Sequence, residues 1–274
     1  MANLPPPPRK RLGQHFLIDP NLLRKIVSFA DLQPDDFVCE IGPGGGALTR
    51  LLCQGARQVL ALEVDPRMVD FLKGEFGECA NLAIQAQDAL RYPFDQLPES
   101  TVVVANLPYN ISTPIMFRLL EARSKIRRMV LTVQLEVAKR LTAKPNSKDY
   151  GVLSVMAQHL ADVRFGFPVS RKCFRPVPDV DSGVVRLDIR AYQPHSSQET
   201  EAFALVVRAA FGQRRKTLLN ALRGAGFAVA QLEKAQELTN IALTRRAETL
   251  SVEEFQHLSE ALKDPRHPSV SLHT

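Results

Sequence analysis

The sequence predicts an α/β protein in which a doubly wound, largely parallel sheet is followed by a small all-helical domain. From Phe37 onward, short apolar runs alternate with helical segments, which is typical of parallel strands joined by helical crossovers. From Glu201 onward only helical periodicity remains. Five runs predict the parallel strands, at residues 37–41, 59–64, 82–86, 101–105 and 129–133.

The chain begins with a predicted flexible basic arm over residues 1–11. Four prolines at positions 5–8 precede Arg9, Lys10 and Arg11, and no apolar stretch of the signal-peptide kind is present. Asp19 and Pro20 then suit the N-cap and the first position of a helix, because aspartate caps well and proline is pre-organised for the first turn. Further helices are predicted over residues 66–76, 114–122 and 152–160.

The end of the sheet and the domain boundary follow from the next segments. Strand-like runs at residues 163–169 and 184–189 lie close together in sequence, so we expect two antiparallel additions at the sheet edge. Residues 191–200 are polar and predict a linker. This divides the chain into residues 1–190 and 191–274.

The second domain is predicted to be all-helical, with the last dozen residues frayed. Apolar residues recur there at helical spacing and define its expected core: Phe203, Val206, Val207, Ala210, Leu218, Leu219, Leu222, Leu232, Leu250, Phe255, Leu258 and Leu262.

Composition limits the class of protein. The four cysteines form no C-x-x-C pair and the six histidines are scattered, so we expect no disulfide framework and no metal site. No run approaches membrane-spanning length, and we expect a cytoplasmic protein. The formal net charge of +6 is compatible with a polyanionic partner.

A glycine loop follows the first predicted strand. Residues 40–46 read E-I-G-P-G-G-G, and glycines such as Gly42 and Gly44 let a ligand lie against bare backbone. Glu63, about 20 residues further on, ends the second strand and is placed to accept hydrogen bonds from ribose hydroxyls. Asp88 follows the third strand, where it is suited to bind an adenine amine. Together these acceptors predict a nucleoside site.

The stretch V-V-V-A-N-L-P-Y at residues 102–109 ends the fourth strand. Ligands of open α/β sheets bind at such carboxyl ends. A nicotinamide dehydrogenase would use the glycines and Glu63 but has no evident need for Asp88 or Asn106. S-adenosyl-L-methionine has a nucleoside for the two carboxylates and a methyl group that must face a nucleophile, so the layout favours this cofactor.

The residues after the fourth strand suit an aromatic amine as that nucleophile. Acceptors at the Asn106 side chain and the Leu107 carbonyl would hold its N–H groups and stabilise the positive charge that develops. Tyr109 offers an aromatic face for the base. We therefore predict Asn106, Leu107 and Tyr109 as the catalytic group.

Four motifs together resemble the ribosomal RNA adenine dimethyltransferase family, and within it most closely the bacterial small-subunit branch. They are E-I-G-P-G-G-G-A-L-T at residues 40–49, N-L-P-Y-N-I-S at 106–112, P-N-S-K-D-Y-G at 145–151 and F-R-P-V-P-D-V-D-S at 174–182. The resemblance implies a Rossmann-like class I methyltransferase sheet and dimethylation of two adjacent adenosines in 16S rRNA of the small ribosomal subunit. We also expect a monomer.

The resemblance also implies individual roles. Cofactor binding falls to His15, Leu17, Gly42, Glu63, Asp88 and Asn106. Phe174 is expected to face Tyr109 across a flipped base. His15 departs from the asparagine that is frequent in the family, but a neutral imidazole still forms hydrogen bonds.

The basic run Arg214, Arg215 and Lys216 is expected to start a helix and to contact the rRNA backbone. For the second basic cluster, Lys125 with Arg127 and Arg128, we expect a solvated face.

Three other functions remain open at this point. They are an antibiotic-resistance methyltransferase of 23S rRNA, a DNA adenine methyltransferase, and an assembly factor that acts mainly by binding rRNA. The third and fourth motifs disfavour the first, and a target-reading region of only about 80 residues disfavours the second. The intact Asn106 and Tyr109 argue against the third.

Overall fold

The computed structural model describes residues 4–190 and 197–263. Its first half contains β1 (Phe16–Leu17), α1 (Pro20–Ala30), β2 (Phe37–Ile41), α2 (Ala47–Gly55), β3 (Gln58–Glu63), α3 (Pro66–Glu75), β4 (Leu82–Ala86), β5 (Thr101–Asn106), α4 (Ser112–Glu121) and β6 (Ile126–Gln134). Its second half contains α5 (Leu135–Leu141), α6 (Val152–Leu160), β7 (Ala161–Val169), β8 (Phe174–Arg175), β9 (Ser182–Ile189), α7 (Ser197–Gly212), α8 (Leu218–Gly224), α9 (Val229–Thr239) and α10 (Val252–Ala261).

A seven-stranded sheet has the order β4-β3-β2-β5-β6-β9-β7. The pairs from β4 to β6 are parallel, whereas β9 runs antiparallel to both β6 and β7. The predicted doubly wound sheet with antiparallel edge strands is therefore confirmed. The strand order reverses between β2 and β5, and this opens a crevice at their carboxyl ends.

The apolar runs form strands because helices cover them on both faces. Val102, Val103 and Val104 of β5 have no exposed surface, so consecutive side chains on opposite faces are all buried. On one face, alternate residues of the sheet pack in a single core cluster with side chains of α1 and α2. The helix at Pro20 begins as predicted, since Asp19 accepts hydrogen bonds from the backbone N–H groups of Asn21 and Leu22.

The chain divides into two compact units. The first comprises Met1–Lys139 and Leu160–Arg190, and the second comprises Arg140–His159 together with the described residues beyond 190. The predicted boundary between residues 190 and 191 assigned Arg140–His159 to the first domain, whereas the structure assigns this segment to the second unit. The segment belongs there because its backbone is tied to the C-terminal helices, for example through the Asn146 N–H and the Glu248 carbonyl oxygen, 2.8 Å apart.

The second unit is helical, as predicted. Helix α10 packs against α7 and α9, and α7 packs against α8. Apart from Leu219, which is partly exposed, the residues predicted for its core are buried. Residues 191–196 of the predicted linker and the C-terminal residues 264–274 lie outside the described residues.

The N-terminal arm differs from the predicted flexible segment over residues 4–11. Lys10–Leu12 form a 3-10 helix, and the Arg9 guanidinium lies 3.8 Å from a carboxylate oxygen of Asp65. Further along, β1 pairs with β8 in a small separate sheet. These contacts join residues far apart in sequence, so periodicity did not predict them.

No helix among residues 4–190 and 197–263 is both long enough and apolar enough to cross a membrane. The same residues contain no group of three or more histidine, cysteine, aspartate or glutamate side chains arranged to hold a metal ion.

Candidate active site

A cavity open to solvent lies at the carboxyl ends of the central strands, with a volume of about 680 Å³ including the solvent space at its entrance. It is lined by the N-terminal residues Leu12, Gly13, Gln14, His15 and Phe16, by Ile41, Gly42, Gly44, Leu62, Glu63 and Val64, and by Gln87, Asp88, Ala89, Asn106, Leu107, Pro108, Tyr109 and Ile111. Most of the predicted site residues therefore line one cavity.

The glycine loop leaves its surface open toward this cavity. Gly42 has φ of 71°, a left-handed conformation that side chains disfavour. An atom placed at its missing Cβ would have only one neighbour within 4 Å, the Asn106 carbonyl oxygen at 3.9 Å. A ligand can therefore approach the Gly42 backbone closely, which fits an extended cofactor.

Glu63 is held rigidly at the end of β3. Its Oε2 accepts from the Gly44 N–H at 3.1 Å, and its Oε1 accepts from the N–H groups of Val64 and Asp65 at 3.0 and 2.9 Å. Burial raises the pKa of this carboxyl, and the three N–H donors oppose the rise. Each oxygen has two lone pairs, so Oε2 keeps acceptor capacity for a hydroxyl group.

Asp88 lies in the turn that follows β4. Its Oδ1 accepts from the Leu90 N–H at 2.9 Å, which fixes the carboxylate while the residue lines the cavity. Glu63 and Asp88 thus place two oriented acceptors on one side of the cavity, as a nucleoside with ribose hydroxyls and an amine requires.

Asn106 has an amide whose orientation is set by one hydrogen bond. Its Nδ2 donates to the His15 carbonyl oxygen at 2.8 Å. Since the nitrogen is engaged, the side-chain oxygen is left as the acceptor, and it has no donor among the described residues. The next residue, Leu107, is anchored by its own N–H to the Thr132 carbonyl oxygen at 3.1 Å.

The Tyr109 ring is held at its hydroxyl and along its face. Its oxygen and the Ser182 Oγ are hydrogen-bonded at 2.6 Å, and the His15 ring stacks on it with centroids 5.6 Å apart. The His15 Nδ1 in turn donates to the Pro176 carbonyl oxygen at 2.8 Å. Burial raises the pKa of Tyr109, while the Ser182 hydrogen bond opposes this rise. The hydroxyl therefore stays neutral at physiological pH.

Two predicted site residues do not reach the cavity. Leu17 and Phe174 face each other as partners in the small sheet and are buried in the core cluster, Phe174 completely. Successive residues of a strand point to opposite sides, so the Phe16 side chain lines the cavity and the Leu17 side chain points away from it. The Phe174 ring has no exposed surface, so the prediction that it faces Tyr109 across a base is not met in this structure, whereas the role of Leu17 beside the cofactor stays a prediction.

The basic residues also differ in part from expectation. Arg214, Arg215 and Lys216 are exposed, but they lie in the turn between α7 and α8 and do not start a helix. Arg214 pairs with Glu248 at 3.3 Å. The expected solvated face is wrong for Arg128, which is buried and bonded to Asp188 at 2.7 Å.

Sequence reasoning missed Gln14, Phe16 and Ser182. Gln14 and Phe16 line the cavity, and Ser182 holds Tyr109. Their positions in the sequence could have identified them, because Gln14 and Phe16 flank His15 and Ser182 is the last residue of the fourth motif.

The doubly wound sheet, the open glycine loop, the two oriented carboxylates and the asparagine at the end of β5 define a class I methyltransferase that uses S-adenosyl-L-methionine. The chain belongs to the ribosomal RNA adenine dimethylase family, whose model matches residues 7–264. It is an rRNA adenine dimethyltransferase.

Similar proteins support this assignment across most of the chain. A ribosomal RNA small subunit methyltransferase A of Geobacillus sp. (strain WCH70) is 46% identical over 267 residues, covering 93% of this chain and 91% of that protein. One of Clostridium acetobutylicum is 42% identical, covering 92% and 93%. Among solved structures, a dimethyladenosine transferase from Plasmodium falciparum has a TM-score of 0.75 at 26% identity, covering 89% and 96%. The 23S rRNA methyltransferase ErmE has a TM-score of 0.71 at 30% identity, covering 90% and 99%.

Glu40 is a buried carboxyl immediately before the glycine loop. It is 1% exposed, and its Oε2 has no hydrogen-bond partner among the described residues. Burial raises its pKa to about 8, the Thr49 hydroxyl opposes this, and the Glu63 charge adds to it. The carboxyl is therefore mostly neutral at pH 7.

Replacing Glu40 with glutamine should make the free energy of unfolding less dependent on pH. The folded chain keeps this proton up to about pH 8, whereas the unfolded chain releases it near pH 4.5. Wild-type stability should therefore fall as pH rises through this interval, by up to about 1.4 kcal/mol per pH unit. Urea unfolding across the interval should show the advantage of Glu40→Gln over wild type growing with pH.

The exposed Glu99, whose side chain is 81% exposed, provides the control. Glu99→Gln should leave the pH dependence of wild type unchanged. A stability difference between Glu40→Gln and wild type that is the same at every pH would show that Glu40 is not protonated in the folded state.

Proposed function

We propose that this chain dimethylates the exocyclic amines of two adjacent adenosines near the 3′ end of 16S rRNA in the small ribosomal subunit, with a role in ribosome biogenesis. The observation that carries the proposal is the convergence of Glu63, Asp88, Asn106 and Tyr109 on one cavity. Relatives at 42 and 46% identity are named small subunit methyltransferases, which supports the choice of rRNA. It acts as a monomer in the cytoplasm under this proposal.

The cofactor half of the cavity holds S-adenosyl-L-methionine through its nucleoside. Glu63 accepts from the ribose hydroxyls, Asp88 accepts from the adenine amine, and the bare backbone of Gly42 lies against the remainder of the cofactor. When bound, the cofactor supplies an electrophilic methyl group.

The substrate half acts by positioning an amine that is a weak nucleophile. The lone pair of an adenine amine is delocalised into its ring. With the Asn106 Nδ2 engaged by His15, Oδ1 accepts one N–H of the amine, and the Leu107 carbonyl oxygen accepts the other. Both oxygens stabilise the positive charge that develops on the nitrogen, whose proton is then lost to solvent. Asn106 accepts no proton itself.

Tyr109 provides the stacking surface for the target base. Base-aromatic stacking contributes about 1 to 3 kcal/mol, and it is tolerant of a methyl group added at the amine. Because Ser182 fixes the hydroxyl end of the ring, the same surface is available for the second transfer to each base. Extruding the base costs a few kcal/mol, less from a loop than from a duplex.

The exposed turn between α7 and α8 contacts the rRNA backbone. Arg215 and Lys216 are exposed and carry no ion pair among the described residues, whereas Arg214 is partly neutralised by Glu248. Contacts of this kind position an RNA without reading its sequence. Arg215 and Lys216 are therefore the stronger candidates within the run.

A second candidate function is methylation of 23S rRNA, which the similarity to ErmE favours. The names of the relatives at higher identity favour the small subunit. The nucleotide that is modified separates the two functions.

Incubation with labelled S-adenosyl-L-methionine and unmodified ribosomal subunits should yield dimethyladenosine at two adjacent positions of 16S rRNA. Nuclease digestion and mass spectrometry locate the label. Asn106→Ala should bind the subunit but transfer no methyl group, because the amine loses its acceptor. Label in 23S rRNA would instead support the ErmE-like function, and subunit binding without any label would support an assembly factor.

Ser182→Ala should lower single-turnover methylation by about fivefold while the cofactor Kd from calorimetry stays unchanged. Tyr109→Phe removes the same hydrogen bond by deleting the hydroxyl group of its other partner. The double variant should therefore be no slower than the slower single variant. Additive losses would mean that Ser182 acts on something other than Tyr109.

Replacing Arg215 and Lys216 with glutamine should weaken subunit binding and flatten its salt dependence. Each lost phosphate contact lowers the slope of log affinity against log salt by about 0.7 to 0.9. Lys73→Gln combined with Lys125→Gln removes the same charge elsewhere on the surface and should leave the slope near wild type. Equal slopes for both pairs, measured by filter binding over a salt series, would refute the contact.

A further inference from the structure

One wall of the cavity is built by residues 9–16, here termed the N-terminal strap. Five of its residues, from Leu12 to Phe16, line the cavity. The strap precedes the first strand of the large sheet by more than 20 residues and shares no backbone pairing with that sheet. Its last residue, Phe16, belongs to β1 and pairs with β8 in the small sheet, so side-chain contacts must hold the part of the strap before Phe16.

The strap packs closely on both loops that form the opposite walls. A Cβ at Gly44 would lie 2.6 Å from the Phe16 Cε1, so this ring rests directly on the glycine loop. A Cβ at Gly13 would lie 2.8 Å from the Asn110 Oδ1, on the loop that carries Tyr109. The strap thus bridges the cofactor half and the substrate half of the site.

Asp65 ties the start of the strap to the sheet. Its side chain has no exposed surface and caps α3, accepting from the Arg67 N–H at 3.2 Å. The Arg67 guanidinium donates to it at 2.6 Å. From the strap, the Gln14 Nε2 donates to Oδ2 at 3.5 Å and the Arg9 guanidinium lies 3.8 Å from Oδ1.

A further hydrogen bond closes this arrangement into a ring. The Gln14 Oε1 accepts from the Arg9 N–H at 2.7 Å, so Arg9, Gln14 and Asp65 are mutually connected. The hydrogen bond from Arg67 is the main cause that lowers the pKa of Asp65, and the charge of Arg9 contributes. The carboxylate is therefore ionised at neutral pH and attracts both guanidinium groups.

Asp65 is also connected to the cofactor half of the cavity through Glu63 and to the substrate half through the strap and Asn106. Its own N–H donates to the Glu63 Oε1 at 2.9 Å. The strap that it holds supplies the His15 carbonyl oxygen, which fixes the Asn106 amide. Asp65 does not line the cavity, so any effect it has on the reaction passes through these neighbours.

We propose that Asp65 is a positioning residue that latches the N-terminal strap over the cavity, and thereby sets both the affinity for the cofactor and the orientation of the Asn106 amide. Without the latch, the strap before β1 is held less firmly, and so is the His15 carbonyl oxygen that directs the Asn106 side-chain oxygen toward the substrate. The part that concerns turnover rests on the proposed function. The part that concerns the strap and cofactor binding does not.

Asp65→Asn tests the latch because asparagine keeps a capping oxygen but has no charge for Arg9 and Arg67. The chain offers a matched control in Asp19, which also caps a helix, is also followed by proline, and accepts from first-turn N–H groups. Asp19→Asn should behave like wild type in every measurement below. Asp19 lies five residues after Gln14, but among the described residues its carboxylate accepts from Asn21 and Leu22 and from no member of the strap ring.

Three measurements are made on the full-length protein. Trypsin cleavage after Arg9, Lys10 and Arg11 should be faster in Asp65→Asn by about tenfold. The cofactor Kd from calorimetry should rise on the order of tenfold. With saturating cofactor, kcat for rRNA should fall more than KM changes, because the amide orientation matters in the transition state.

Arg9 provides the complementary variants on the strap side. Arg9→Gln should raise the rate of tryptic cleavage after Lys10 and Arg11, the two sites it retains, and should raise the cofactor Kd as Asp65→Asn does. Arg9→Lys should restore both toward wild type by retaining the charge. A purely structural role for Asp65 in capping α3 would leave the Arg9 variants without effect.

The proposal fails if Asp65→Asn resists trypsin and binds cofactor like wild type. It also fails if Asp19→Asn is impaired to the same degree, since loss of a helix cap would then be the cause. These readouts need no rRNA, so a failure to find 16S methylation leaves the latch intact, and a failed latch leaves the methylation assignment intact.

Discussion

The parallel register of three adjacent strands is the constraint on which the site depends. Ile41 of β2 is paired with Leu62 of β3 and with Ala105 of β5, so the residues that follow them emerge side by side at one edge. Those residues are Gly42, Glu63 and Asn106. A slip of one residue in either pairing would turn Glu63 or Asn106 to the other face of the sheet and remove it from the cavity.

Much of this arrangement follows from local sequence pattern. The strands at Phe37–Ile41 and Leu82–Ala86 and the helix at Val152–Leu160 have the predicted bounds, because apolar runs and helical periodicity are properties of contiguous residues. Gly42, Glu63, Asp88 and Asn106 were predicted as site residues for the same reason, since each ends or follows a strand of a parallel sheet.

The remaining features depend on contacts between distant segments. Strands of two residues have no periodicity, so the pairing of Phe16–Leu17 with Phe174–Arg175 gave no signal, and with it the burial of Phe174 was missed. The hydrogen bond between Tyr109 and Ser182 joins two motifs that are 73 residues apart. The assignment of Arg140–His159 to the helical unit is of the same kind.

The ring that ties Arg9 and Gln14 to Asp65 has long contacts, 3.8 and 3.5 Å, whereas the Arg67 guanidinium holds the same carboxylate at 2.6 Å. Arg67 belongs to α3 and keeps its contact with Asp65 when Arg9 and Gln14 move away. The Asp65 carboxylate therefore remains charged and in place. An enzyme that uses one molecule of S-adenosyl-L-methionine for each methyl group must release the demethylated cofactor after each transfer. Under the proposed latch, contacts that re-form on an intact anchor suit repeated exchange of the donor, because no part of the sheet has to unfold.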